Sequence, residues 1–153
     1  MRSVWRLVAF GAWLVPAVPA LAETAGAVLS VSATVTGRCS VAAAALAFGQ
    51  YRPGTSSGES TSLTVNCTQG TSYAVALDDG ASGGRRMSGP SGAALPYDLY
   101  QDAGLSQRWG TGANAVPGTG SGSDQTLRLY ASIAPVEAPA GDYNDTVTVS
   151  VIY

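Results

Sequence analysis

Cys39 and Cys67 stand 28 residues apart in a chain that has no other cysteine and neither histidine nor lysine. Without histidine, Ser-His-Asp and Cys-His nucleophilic arrangements are excluded. Paired carboxylates are what glycoside hydrolysis needs, so Asp78–Asp79 and Asp98 with Asp102 are the pairs to weigh. An Asp-Asp-Gly after an apolar run is more simply a turn. Asp142, Asn144 and Asp145 gather oxygen donors of the kind calcium takes. They lack the spacing and distal glutamate of a dedicated loop, and a side-chain-capped turn is the expectation. The stretch "GTGANAVPGTGSG" is rich in glycine, but no Lys-Ser/Thr follows to complete a phosphate cradle. Tyr97, Tyr100 and Trp109 offer flat faces of the kind that stack on sugars, against the simpler reading of sheet and core packing. No catalytic residue, metal site or cofactor is expected, and the chain does not read as an enzyme.

What the two cysteines do depends on the compartment. Arg2 and Arg6 mark a basic start, Leu7 to Ala20 is mostly apolar, and "ALA" at 20–22 supplies small residues for cleavage. Residues 1–22 therefore read as a secretory signal peptide cut between Ala22 and Glu23. The run is too short for a membrane span and is interrupted by Pro16 and Pro19. Its removal leaves 131 of the 153 residues, enough for one domain with a core. Six arginines then face ten acids, a net charge of −4, which suits neither nucleic acid nor an anionic membrane. In an exported chain an even cysteine count reads first as a disulfide, Cys39–Cys67. Closing a loop of about 29 residues is worth roughly 3.5 kcal/mol in the chain-entropy model. A metal pair and a reactive thiol are the alternatives; the separation and the lack of histidine weigh against the metal.

The elements that must position these residues are strands. Short alternating runs are separated by Gly, Ser, Pro and Asp clusters, with no helical period. Six strands are expected from Cys39 onward, at about 38–48, 60–67, 71–78, 94–101, 126–134 and 143–153. "LDDGASGGRRMSGPSG" and "GTGANAVPGTGSGSDQ" are long connections between them. Strands at this spacing predict an all-β, two-sheet antiparallel sandwich. Upstream, "AGAVLSVSATVTG" puts Ala25, Ala27, Leu29, Val31, Ala33 and Val35 on one face and Ser and Thr on the other.

"CSVAAAALAFGQYRPG" followed by "LTVNCTQGTSYAVALDDG" resembles the spore coat U domain family. So do "RRMSG" leading into "LPYDLYQD" and "RWG", and "GDYNDTVTVSVIY" at the end. That family includes pilus subunits of archaic, Csu-type chaperone–usher systems. The likeness runs from about Val31 to Tyr153; the long Gly/Ser loop at 110–125 is its one departure. It implies an incomplete immunoglobulin-like sandwich lacking its seventh strand, and the count of six strands asks for the same completion. The organisation expected is a signal at 1–22, an N-terminal donor-strand segment at 23–36 and a sandwich domain at 37–153.

An unfilled groove is an aggregation hazard. The resemblance implies that it is filled by donor-strand complementation, a form of strand addition. The expected donor residues are Ala27, Leu29, Val31, Ala33 and Val35. The expected acceptor strand, which a chaperone would also bind, presents Val147, Val149, Val151 and Tyr153. Repeated head to tail, such a contact makes a fibre. The partners implied are further pilus subunits, a periplasmic chaperone and an outer-membrane usher, and the destination is the cell surface. Two other functions compete: a spore or cell-surface coat protein, and a carbohydrate-binding module or adhesin using the aromatics.

Overall fold

The computed structural model describes residues 23–153; the expected signal peptide at 1–22 lies outside the described residues. The chain divides after Thr34 into two units. In the first, residues 23–34 form no strand and their apolar side chains are exposed, Leu29 at 86% and Val31 at 87%. The alternating run expected to be a strand at 25–35 thus enters no ladder among the described residues. Alternation marks a face to be buried, but a strand also needs an edge to pair with.

The second unit, 35–153, holds eight strands among the described residues and no α-helix. They are β1 (Cys39–Ala43), β2 (Ser57–Cys67), β3 (Ser72–Leu77), β4 (Arg86–Ser88), β5 (Ala94–Tyr100), β6 (Val116–Thr119), β7 (Asp124–Ile133) and β8 (Val149–Ile152). One sheet runs β1-β2-β7-β5-β4 and the other β6-β3-β8, with every pairing antiparallel. The all-β, two-sheet expectation holds.

The core lies between the sheets. Leu63 and Val65 of β2, Val75 and Leu77 of β3, Leu99 of β5, and Leu129 and Ile133 of β7 are all buried. Trp109 ties the layers together: its main-chain N–H bonds the Leu99 carbonyl (2.8 Å) and its indole N–H the Val75 carbonyl (2.9 Å). Tyr51 pins the loop after β1 to the chain leaving β7, donating to the Val136 carbonyl and accepting from the Val136 N–H, both at 2.9 Å.

Several boundaries differ from the sequence reading. β4 and β6 lie within segments read as connections. β6 is an edge strand, where Pro117 is tolerated, and Gly118 gives the Tyr73 ring room that any Cβ would fill. The first strand stops at Ala43 because the Thr61 hydroxyl takes the Ala45 carbonyl (3.2 Å) and the chain then peels away. The last ladder shortens from 143–153 to Val149–Ile152, since residues 144–148 bond mainly to the turn-rich segment 78–88.

Candidate functional site

Each sheet ends on a strand with one neighbour at the same side of the sandwich: among the described residues β1 pairs only with β2, and β8 only with β3. Between them opens a cleft of about 480 Å³. Ala43 to Leu46 and Phe48 form one wall, Tyr143 to Val147 and Val149 the other, and Leu63, Leu77, Leu99 and Leu129 the floor. A second cleft continues past Phe48 and Tyr143 toward Tyr51 and Pro139.

The main chain of both walls presents unpaired edges. Asn144 exchanges two bonds with Ser88 (2.8 and 3.0 Å), and the carbonyls of Thr146 and Thr148 accept from Ala81 and Asp78. In an antiparallel ladder the bonded residues alternate, so the main-chain groups of the even positions bond within the sheet and those of the odd positions point to the cleft. Asp145 and Val147 accordingly make no backbone hydrogen bond among the described residues. On β1, Arg38 and Ala44 carry bonds toward β2 and its continuation, which leaves Val41 and Ala43 facing the cleft.

Apart from Asp145, the odd side chains from Tyr143 to Tyr153 are apolar, yet Val147, Val149 and Val151 are only half-buried. Val147 and Val149 line the cleft itself. Tyr153 lies beyond β8 and is 63% exposed. Ala27, Leu29, Val31, Ala33 and Val35 are all exposed.

Two carboxylates hold this wall in place. Asp78 accepts from the Thr148 N–H (2.9 Å) and the Gly80 N–H (3.0 Å). The bonds from Thr148 lead in keeping its carboxyl below the usual value. Asp145 accepts from the Tyr97 hydroxyl (2.7 Å) and the Ser82 N–H (3.1 Å). Burial works against its charge, but those two donors and neighbouring groups outweigh it and its pKa falls. Burial first, and then Asp145, push the Tyr97 phenol well upward. Gly80 sits at a φ of +82°, where a Cβ would run into the Asp145 carboxylate. Arg85 is buried beneath, donating to the Leu77 and Trp109 carbonyls (3.3 and 3.0 Å).

The other sequence candidates fall apart as sites. Asp98 pairs with Arg108 at 2.8 Å, while Asp102 caps its own turn by accepting from the N–H groups of Ser106 and Gln107. Asp79 lies 3.9 Å from Arg85 and is otherwise exposed. Tyr97 and Trp109 belong to the core, whereas Tyr100 lies on the outer face opposite Tyr130, so the three aromatics make no common platform. Cys39 and Cys67 are directly opposite in the β1–β2 ladder and form a disulfide, as expected. Sequence reasoning missed Asp145, Tyr97 and Asp78 as the groups that fix the groove wall. The available signal was an aspartate at an odd, inward position of an otherwise apolar alternation.

Comparison with known proteins agrees with this geometry. Residues 25–150 match the model of the Spore Coat Protein U domain. The chain is 33% identical to Protein U of Myxococcus xanthus, over 100% of this chain and 98% of that protein. Among solved structures it is similar to a chain of the CsuC–CsuE chaperone–tip adhesion subunit pre-assembly complex, from archaic chaperone–usher Csu pili of Acinetobacter baumannii. That match has a TM-score of 0.63 and 26% identity, and covers 78% of this chain but 41% of the other. A disulfide in such a relative of pilus subunits points to a location outside the cytoplasm. With a matching domain model across most of its length and a relative aligned end to end, the chain belongs to the Spore Coat Protein U domain family.

Proposed function

We propose that this protein is a structural subunit of a secreted surface fibre, in which residues 25–35 of one copy fill the groove of the next. The observation that carries the reading is the pair of unpaired edges, β1 and β8, flanking an apolar cleft whose Val147 and Val149 are half-covered. An added strand would satisfy both edges at once and cover the floor. The exposed apolar face of Leu29, Val31 and Val35 has the complementary pattern. Each of these side chains contributes about 1.5–3 kcal/mol when fully buried. Donor and groove are different segments of one subunit, so the contact propagates head to tail.

Before assembly a periplasmic chaperone occupies the groove, and an outer-membrane usher exchanges its strand for the neighbour's. The organisation is then a cleaved signal at 1–22, a donor segment at 23–36 and the sandwich at 37–153, with adhesion or biofilm formation as the role of the fibre. A second reading, a coat protein deposited on a cell or spore surface, is favoured by the end-to-end likeness to Protein U. Negative-stain microscopy of exported protein separates them. Fibres that disappear in Val31→Asp, with chaperone capture intact, support the first reading; amorphous assembly indifferent to Val31→Asp supports the second.

A further inference from the structure

The inward positions of the groove wall from 143 to 153 read Tyr, Asp, Val, Val, Val, Tyr. Asp145 is the single charge among them, and it lines the cleft. One of its carboxylate oxygens takes the Tyr97 hydroxyl and the other the Ser82 N–H, so it stays in place as a fixed polar notch. A branched apolar side chain laid over that carboxylate would strip water from its remaining lone pairs and return no hydrogen bond. A small side chain leaves room for a water.

We propose that Asp145 sets the register of the incoming strand by admitting only a small donor residue, Ala33 of a second copy. The inference rests on the strand-addition reading above. Every ladder among the described residues is antiparallel, and the alternation of bonded pairs leaves the odd residues of the wall with main-chain groups toward the cleft and inward side chains. To bury the odd face of 25–35, odd donor residues must stand opposite odd wall residues, which restricts slips to steps of two. With Ala33 opposite Asp145, all eleven residues of 25–35 oppose all eleven of 143–153. Val31 then meets Val147, Leu29 meets Val149, and Val35 meets Tyr143. A slip of two residues either way puts Val31 or Val35 over the carboxylate. A slip of four one way puts Leu29 there; the other way carries 25–35 past Asp145, sets Gly37 opposite it and leaves seven opposed pairs of the eleven. Ala27 reaches Asp145 only after a slip of six, which leaves five opposed pairs of the eleven. Only the register with Ala33 at Asp145 both places a small residue on the carboxylate and opposes all eleven pairs.

The test uses donor variants, whose positions are exposed in the subunit and leave residues 35–153 untouched. Fibre growth from the full mature chain is followed for Ala33→Val, Ala33→Ser and Ala27→Val, with Val31→Asp beside them. Ala33→Val should slow growth roughly ten-fold or more. Ala33→Ser, small and able to donate to the carboxylate, should grow at least as well as the parent, and Ala27→Val, opposite Val151, should grow nearly as well. Equal growth of Ala33→Val and parent overturns the register, as does an equal loss in Ala33→Val and Ala27→Val. Undiminished fibres from Val31→Asp would instead remove the strand-addition reading itself.

Discussion

The centre of the larger sheet and the run after Tyr143 carry the same alternation, and they end up differently covered. Leu63, Val65, Leu129 and Ile133 in β2 and β7 are exposed by 6% or less, while Val147, Val149 and Val151 remain half-buried. The difference is in the neighbours rather than in the residues. β2 and β7 each have a strand on both sides and the second sheet above; β8 has β3 alone. Alternation therefore specifies which face wants cover, and only the topology says whether the chain supplies it.

Breaking the closed side should cost most. Removing the bridge with Cys67→Ser is expected to destabilise by about 2–5 kcal/mol, read from denaturant midpoints of the mature chain. Leu63→Ala, at 1% exposure, should fall in a similar range of about 2–5 kcal/mol by the same measurement. Acid acts on the open side. The carboxyls of Asp78 and Asp145 are both held below the usual aspartate value in the folded protein. Between folded and unfolded values the unfolded chain binds more protons, so their stabilisation is full above about pH 5 and lost progressively as pH falls further. Denaturant midpoints should therefore drop below about pH 5, and drop less in Asp145→Asn. The smallest effect belongs to Val147→Ala: less than about 1 kcal/mol in the lone subunit, because half of the side chain's burial is still missing. In the assembled fibre the same change should cost measurably more, seen as faster dissociation.

Much of the closed side was legible in the sequence. The β2, β3, β5 and β7 segments announce themselves by period-two apolar runs, and two cysteines in an exported chain leave one intramolecular pairing. β4 and β6 were not legible, because Arg86–Ser88 and Val116–Thr119 borrow their conformation from Leu95 and Tyr73 across the ladder rather than from their own propensity. The groove wall was half legible. Its apolar positions stood out, but the latch did not: Asp145 meets Tyr97 48 residues away, and Asp78 meets Thr148 at a separation of 70. Local pattern reports faces; long-range polar contacts need the fold first.

On the strand-addition reading, a neighbour's strand completes the open side. Amide hydrogen exchange in the fibre, compared with the lone subunit, tests it most directly. Val147 makes no backbone hydrogen bond among the described residues, the alternation of bonded pairs turns the Val149 N–H toward the cleft as well, and residues 25–35 are exposed. Strong protection is expected in the fibre at Val147, Val149 and alternate residues of 25–35, with Val65 and Leu129 unchanged. Fast exchange at Val147 and Val149 in intact fibres, with 25–35 also unprotected, would contradict it.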